Sequence, residues 1–174
     1  AAGDESGGIF LWDNLTGQRI GERLHAAGTA AVSSLALDLA DRRLASATGN
    51  RYDPDTRAHK LILWDLEDRA APRPVVLAAN QPSIWSVDIS PDGDMLATAL
   101  QTGAVALWDL AGSTPVSRTL SGETFSPALT VAFDAGSQRL AAGWNDGQLV
   151  VWDDPSSARP VSRSLEGQDR KSVV

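Results

Sequence analysis

The sequence predicts an all-β protein assembled from a repeated unit of four short antiparallel strands. A Trp-Asp pair recurs at intervals of 52, 44 and 44 residues, which is a regular period of the size that repeat architectures use. Each pair ends an apolar run that is rich in β-branched and aromatic residues, as strands are. No stretch of about 10 to 12 residues has sustained helical periodicity, which argues against a solenoid of helical repeats.

The Trp-Asp pair marks the third strand of each unit. Chance predicts about 0.6 such pairs for this composition, whereas the chain has four, at the ends of the runs GIFLWD, KLILWDL, AVALWDL and QLVVWD. Their regular place in a strand indicates a structural role. The motif residues are Trp12, Asp13, Trp64, Asp65, Trp108, Asp109, Trp152 and Asp153.

The other three strands follow from alternation and turn residues. The first strands are predicted at 32–38, 84–90 and 129–134, and the second strands at 42–48, 95–100 and 139–144. The turn at 90–93 contains Pro, which presets φ, and Gly, which accepts positive φ. Fourth strands are predicted at 74–77, 116–120 and 161–165, with a weaker counterpart at 19–24.

Four antiparallel strands per unit of about 44 residues, each unit with a Trp-Asp pair, resemble the WD-repeat family. The resemblance implies a β-propeller, of which this chain would supply about three and a half blades. The predicted divisions are a half-blade at 1–25 (third and fourth strands), blades at 26–79, 80–122 and 123–167, and the start of a further blade at 168–174. Because propellers close with about 4 to 8 blades, we expect the remaining blades to lie in the same longer chain. The alternative is a seven-bladed ring made by two copies.

The chain departs from the polar pattern of the family. Many members join a His before the first strand, a Ser or Thr on the second, an Asp in the next turn and the motif Trp by hydrogen bonds. Carried over by position, that Asp is convincing only at Asp146, because Thr102 stands at the aligned place before Trp108. Trp144 stands where a small hydroxyl residue is common. The positions aligned with the family's His are Ala27, Asn80, Glu123 and Gln168. We therefore expect the blades to depend mainly on apolar packing between them.

Two features suggest a partner-binding face. The connection at 49–60 is about eight residues longer than its counterparts, and the resemblance places it with the loops that join strands four to one and two to three. Two interpretations remain open for it, a tolerated insertion and a recognition loop that offers Arg51, Tyr52, Arg57 and His59. Trp85 and Trp144, which are outside the Trp-Asp pairs, are expected near the same face, although packing in the core is the alternative for both.

Composition limits the remaining classes of function. The net charge of −7 disfavours a nucleic-acid surface. Without cysteine there is neither a disulfide nor a thiolate metal site, and no apolar run of about 18 residues suggests a membrane span. A cytoplasmic location is expected. Arginine outnumbers lysine 13 to 2, which suggests a bacterial source with a GC-rich genome.

The sequence thus predicts a non-catalytic scaffold that binds a protein or peptide, with no cofactor and no metal. The alternative is the ligand-sensing region of a bacterial signalling protein whose switch ATPase, kinase or caspase-like protease lies upstream. A third class, hydrolytic propellers with carboxylates around the central channel, is disfavoured because Asp88 aligns with Ala36 and Ala132.

Overall fold

The computed structural model describes residues 1–25, 30–38, 42–50, 59–112, 114–121 and 126–165. These residues form fifteen strands in four antiparallel sheets, which confirms the predicted all-β fold of propeller blades. No helix in the described ranges is long and apolar enough to cross a membrane. The sheets are called blades 1 to 4 in chain order.

Blade 1 has three strands, and blades 2 to 4 have four strands each, in sequential order. The strands of blade 1 are β1 (Ala2–Gly3), β2 (Gly8–Trp12) and β3 (Arg19–His25), and those of blade 2 are β4 (Val32–Asp38), β5 (Arg43–Thr48), β6 (His59–Asp65) and β7 (Arg73–Gln81). Blade 3 contains β8 (Ile84–Ile89), β9 (Met95–Leu100), β10 (Val105–Asp109) and β11 (Val116–Ser121). Blade 4 contains β12 (Ala128–Phe133), β13 (Arg139–Trp144), β14 (Leu149–Asp153) and β15 (Val161–Leu165).

Residues 1–25 therefore form three strands, whereas the sequence predicts only two there. Ala2 and Gly3 pair with Phe10 and Ile9, in the register that Ala142 and Gly143 have with Val150 and Leu149 in blade 4. The two residues of β1 thus belong to the second strand of blade 1. A run of two residues is too short to have an apolar alternation, which is why the sequence does not reveal this strand.

The hydrophobic core lies between the blades. Because side chains alternate along a strand, each sheet buries one set of residues against the preceding blade and the other set against the next. Ile9 and Leu11 of blade 1 form one cluster with Leu44, Ile62 and Trp64 of blade 2, and similar clusters join blade 2 to blade 3 and blade 3 to blade 4. Each large side chain that is fully buried there contributes about 1.5–3 kcal/mol.

The motif Trp side chains face the preceding blade. Trp64 and Trp152 are 4% and 3% exposed and belong to the clusters with blades 1 and 3, while Trp108 is half-buried against blade 2. Trp12 in blade 1 is 45% exposed. The difference follows from position, because blade 1 has no preceding blade among the described residues.

Polar contacts repeat between neighbouring blades. The hydroxyl of Ser34 accepts the Val87 N–H at 3.1 Å, and the hydroxyl of Ser86, at the aligned position of the next blade, accepts the Val131 N–H at 3.3 Å. Arg118 donates two hydrogen bonds across the junction of blades 3 and 4, to the carbonyls of Pro155 and Ser157. Packing between the blades is therefore supplemented by hydrogen bonds.

Within the blades, the family's polar pattern survives in one place that the sequence alignment overlooked. The indole Nε1–H of Trp64 donates to the hydroxyl of Ser46 at 2.8 Å, and both side chains are buried. The hydroxyl position is thus 46, two residues before the one aligned with Trp144. In blade 3 the Thr98 hydroxyl donates instead to the Ala106 carbonyl at 3.5 Å, and Trp108 Nε1 is buried without a partner.

In blade 4, Ala142 stands at the same position and offers no side-chain oxygen. The expected loss of the network is therefore confirmed for the indole of Trp108 in blade 3 and wrong for Trp64 in blade 2, and in blade 4 the hydroxyl residue is replaced by Ala142. The predicted turn carboxylate is present at Asp146, whose Oδ1 accepts the Gln148 N–H at 3.0 Å. This bond closes the exposed turn to which Asp146 belongs.

Candidate functional site

One end of the blades carries the features that the sequence marks for binding. In blades 2 to 4, the turn between the second and third strands is hydrogen-bonded to the connection that enters the first strand of the same blade. The bonds run from Gly49 N–H to Ala31 O, from Gln101 N–H to Ser83 O and from Asn145 N–H to Pro127 O, at 2.9–3.1 Å. These turns and connections, residues 49–50, 82–83, 101–104, 126–127 and 145–148, are called the loop face.

The loop face is polar where it meets solvent. Exposed side chains include Asn50, Asn145 and Asp146, and Asn80 is exposed at the end of β7. Thr102 and Gln101 are half-buried beside them. Neutral amides and hydroxyls both donate and accept hydrogen bonds, so this end of the blades can satisfy the backbone and side chains of a polypeptide partner.

Trp144 lies in the core, so the hypothesis that it anchors a partner is wrong. Its side chain is 4% exposed and packs on Trp152, with ring centroids 6.3 Å apart. Its indole Nε1–H donates to the Gly103 carbonyl of blade 3 at 2.9 Å. An aromatic ring at a position where small residues are common is therefore used to join two blades.

His59 is also unavailable to a partner, because it is 0% exposed. Its Nε2 lies 3.0 Å from the hydroxyl of Ser83, which is equally buried. The sequence placed His59 in the recognition loop, whereas the structure places it at the first position of β6. The loop hypothesis therefore loses this residue.

The remaining candidate contacts stay predictions. Arg51, Tyr52 and Arg57 lie outside the described residues. Trp85 is half-buried in β8, a strand that packs against β4 of the preceding blade and β12 of the next. Its partial exposure is compatible with packing and with a partner contact.

Three of the four motif aspartates close turns at the opposite end of the blades, whereas the fourth, Asp153, forms ion pairs with Arg139 and Arg163. Oδ1 of Asp65 accepts the Glu67 N–H at 2.8 Å, and Oδ1 of Asp109 accepts the Ala111 N–H at 2.9 Å. Asp13 accepts the N–H groups of Leu15 and Thr16, and these bonds hold the pKa of its carboxyl below the usual range. Carboxylates whose oxygens are used in this way are structural.

Asp88 is a carboxylate whose charged form is disfavoured by burial. Its Oδ2 accepts the Phe133 N–H across the junction of blades 3 and 4 at 2.7 Å. Burial nevertheless raises the pKa of this carboxyl above its usual value, against the opposing effect of the N–H groups of Phe133 and Ile89. Among the described residues, no group of three or more His, Asp or Glu side chains is placed to hold a metal ion.

Among the described residues, no further blade covers the outer faces of blades 1 and 4. On blade 4 a groove of about 440 Å³ is lined mainly by apolar side chains, including Phe133, Ala141, Val151 and Leu165. On blade 1, Phe10 lies beside the exposed Trp12 with ring centroids 5.8 Å apart, and Arg19 and Arg23 stack over Phe10. These are the faces that the inner blades bury against each other.

Sequence reasoning missed Ser83, which joins the connection before β8 to both Asn50 and His59. A single serine before a strand is not a signal by itself. The informative signal is that His59, which immediately follows the long insertion, occupies the aligned position that Gly103 and Gly147 occupy in the next two blades.

The comparisons with known proteins agree on the repeat. The WD40 family (WD domain, G-beta repeat) matches residues 74–109 and 115–153. The β subunit of a guanine nucleotide-binding protein from Oryza sativa subsp. japonica is 30% identical over 162 residues, which are 88% of this chain and 40% of that protein. Transducin beta-like protein 3 from Mus musculus is 39% identical over 74 residues, which are 42% of this chain and 9% of that protein.

A solved structure shows the same fold. The β-propeller domain of Cps50 (Swd1) from Myceliophteria thermophila superposes with a TM-score of 0.69 at 21% identity, over 93% of this chain and 50% of that chain. The chain thus spans about half or less of the proteins that it matches. These relatives are eukaryotic and do not support the predicted bacterial source, and neither they nor the WD40 match indicates a catalytic family. The repeat, the blades and these similarities together identify the chain as a member of the WD-repeat family with the β-propeller fold.

Proposed function

We propose that this chain is a non-catalytic interaction module that binds a protein or peptide on its loop face. The observation that carries the proposal is the convergence of the polar turns of three blades at one end, beside the two ends of the 51–58 insertion at Asn50 and His59. At the opposite end the turns close on the motif carboxylates. Binding side chains on loops that a rigid scaffold holds is the usual arrangement for recognition.

Site-specific photo-crosslinking tests the face directly. A photoreactive amino acid at Thr102 or Asn145 reports on the loop face, and the same amino acid at Gly112 or Gly136 reports on turns at the opposite end. We expect the loop-face positions to crosslink a common protein partner in cells that express the full-length protein. Equal crosslinking from both ends, or crosslinking of that partner only from Gly112 and Gly136, contradicts the proposal.

The insertion is tested separately. We propose that Arg51, Tyr52 and Arg57 contribute contacts to the same partner, so deletion of 51–58 is expected to weaken its binding at least about tenfold, which corresponds to 1.4 kcal/mol. Trp85→Ala measures the contribution of the one half-buried candidate. Unchanged affinity of the deletion variant eliminates the insertion as a contact without affecting the crosslinking result.

We also propose that further blades of the same protein cover the two open faces. Support comes from the exposed Trp12, whose counterparts Trp64 and Trp152 are buried by a preceding blade, and from the apolar groove on blade 4. The full-length reading frame is expected to encode further WD repeats. An upstream ATPase, kinase or protease motif would favour the sensor alternative, and a discrete dimer of the 174-residue chain in light scattering would contradict closure by the same chain.

A further inference from the structure

Three hydrogen bonds meet at the hydroxyl of Ser83. The Asn50 N–H lies 3.0 Å from Ser83 Oγ, Ser83 Oγ lies 3.0 Å from the Asn50 carbonyl oxygen, and His59 Nε2 lies 3.0 Å from the same Oγ. Ser83 and His59 are both 0% exposed. Asn50 and His59 are the residues on either side of the 51–58 insertion, so one hydroxyl contacts both of its ends.

The donor and acceptor capacity of the Ser83 hydroxyl determines which nitrogen of His59 carries the proton. A hydroxyl donates one hydrogen bond and accepts two. If Ser83 donates to the Asn50 carbonyl, it accepts from Asn50 N–H and from a protonated His59 Nε2, and all three contacts are satisfied. If it donated to His59 Nε2 instead, the Asn50 carbonyl would lose this donor and the proton on His59 Nδ1, which has no partner, would be a buried unpaired donor.

The combination occurs only where the insertion occurs, among the blades whose residues are described. The position of His59 is Gly103 in blade 3 and Gly147 in blade 4. The position of Ser83 is Pro127 before blade 4, and Pro has no hydroxyl. The ordinary connection between second and third strands thus needs neither residue, whereas the long connection has both.

Thr48 secures the same segment from the second strand. Its Oγ1 accepts the Lys60 N–H at 2.8 Å, which fixes the residue after His59. The Ser83 carbonyl in turn accepts the Gln101 N–H of blade 3 at 2.9 Å. The ends of the insertion are therefore connected through Ser83 to the neighbouring blade.

We propose that Ser83 and a neutral His59 with its proton on Nε2 form an anchor that holds both ends of the 51–58 insertion at the junction of blades 2 and 3. Both are positioning residues, because they fix the base of the insertion without being exposed to a partner. The anchor is independent of what the insertion binds, since all of its contacts lie within the chain.

Limited proteolysis of the full-length protein measures the anchor, because trypsin cleaves after Arg51 and Arg57. When opening is fast relative to cleavage, the rate of cleavage follows the population of the open segment. Ser83→Ala removes all three contacts of the hydroxyl, so we expect cleavage within 51–58 to accelerate at least about tenfold. His59→Gln, whose amide can donate to Ser83, is expected to accelerate cleavage less than His59→Ala.

Ser86→Ala is the matched control. It removes a hydroxyl three residues away that accepts the Val131 N–H and so joins blades 3 and 4 instead of blades 2 and 3. Cleavage after Arg51 and Arg57 should then stay near the wild-type rate. Equal acceleration by Ser83→Ala and Ser86→Ala would reflect general loosening of the blades and would overturn the anchor.

The wild-type protein gives an independent readout if the variants fail to fold. Imidazole nitrogen chemical shifts in NMR distinguish a protonated from an unprotonated nitrogen. We expect the proton of His59 on Nε2 and none on Nδ1. A proton on Nδ1 with Nε2 unprotonated would overturn the assignment, because Ser83 could not then satisfy its three contacts.

Discussion

The indole of Trp64 and the indole of Trp108 occupy the same motif position, yet only the first has a hydrogen-bond partner. Trp64 Nε1–H donates to the buried Ser46 hydroxyl at 2.8 Å, whereas Trp108 Nε1 is buried with no partner in the described part of the chain. Replacing either Trp by Phe removes the N–H and part of the ring. The two positions therefore separate the energy of the hydrogen bond from that of ring packing.

A double-mutant cycle isolates the bond in blade 2. Trp64→Phe leaves a fully buried hydroxyl at Ser46 without its donor, which costs about 1–3 kcal/mol beyond the lost packing. Ser46→Ala leaves the indole N–H unpaired at a similar cost. Since the double variant lacks both groups, the two single losses should exceed the double loss by about 1–2 kcal/mol.

The same cycle in blade 3 is the control. Thr98 aligns with Ser46, but its hydroxyl is directed to the Ala106 carbonyl at 3.5 Å. Trp108→Phe and Thr98→Val should therefore be additive within about 0.5 kcal/mol. Urea unfolding followed by circular dichroism gives the free energy of unfolding of each variant. Equal coupling in the two blades, or no coupling between Trp64 and Ser46, would refute the assignment of the bond.

Three further outcomes are expected in the same unfolding assay. Because burial raises the pKa of Asp88, the folded protein binds the carboxyl proton more tightly than the unfolded chain does, so the free energy of unfolding falls as pH rises above 3.8. Asp88→Asn should therefore stabilise the protein at neutral pH, and the gain should vanish towards about pH 4. A Cβ at Gly21, which has φ 63°, would lie 2.9 Å from the Ala70 carbonyl oxygen, so Gly21→Ala should destabilise the fold by about 2–3 kcal/mol. Gly17 has φ 68° but open space around it, so Gly17→Ala should cost only the backbone strain of about 1–2 kcal/mol. Equal costs for the two variants would contradict the clash at Gly21. Arg118→Ala removes two bonds between blades 3 and 4 and should cost about 1–3 kcal/mol, against less than about 1 kcal/mol for Arg163→Ala, whose ion pair with a carboxylate is exposed.

The repeat explains why most of the fold could be predicted from the sequence. Every predicted strand of blades 2 to 4 is present, with bounds that differ by a few residues, because strand alternation, turn residues and the Trp-Asp period all depend on local sequence. The two residues of β1 escaped because so short a strand has no pattern of its own. Contacts between blades, such as those of Ser34 and Ser86, could not be predicted because alternation does not specify hydrogen-bond partners.

The candidate binding residues were harder to predict for a physical reason. Trp144 and His59 break the repeat, and a residue that departs from its aligned neighbours can serve a partner or a local irregularity of the fold. In both cases the structure shows the second use. The indole N–H of Trp144 in blade 4 donates to the Gly103 carbonyl of blade 3, and His59 contacts Ser83 beside the insertion.

The same contrast indicates where recognition has to be sought. A buried polar side chain is retained when its hydrogen bonds are satisfied by the fold, as those of Trp64 and Ser83 are. Such residues are no longer available to a ligand, so a partner must find its contacts among side chains that the repeat leaves exposed. On the loop face these include Asn145 and Asp146, with Asn80 beside it at the end of β7, together with the insertion that the proposed Ser83 anchor holds. If the loop face binds a partner as proposed, specificity depends on exposed residues that the WD-repeat pattern does not determine.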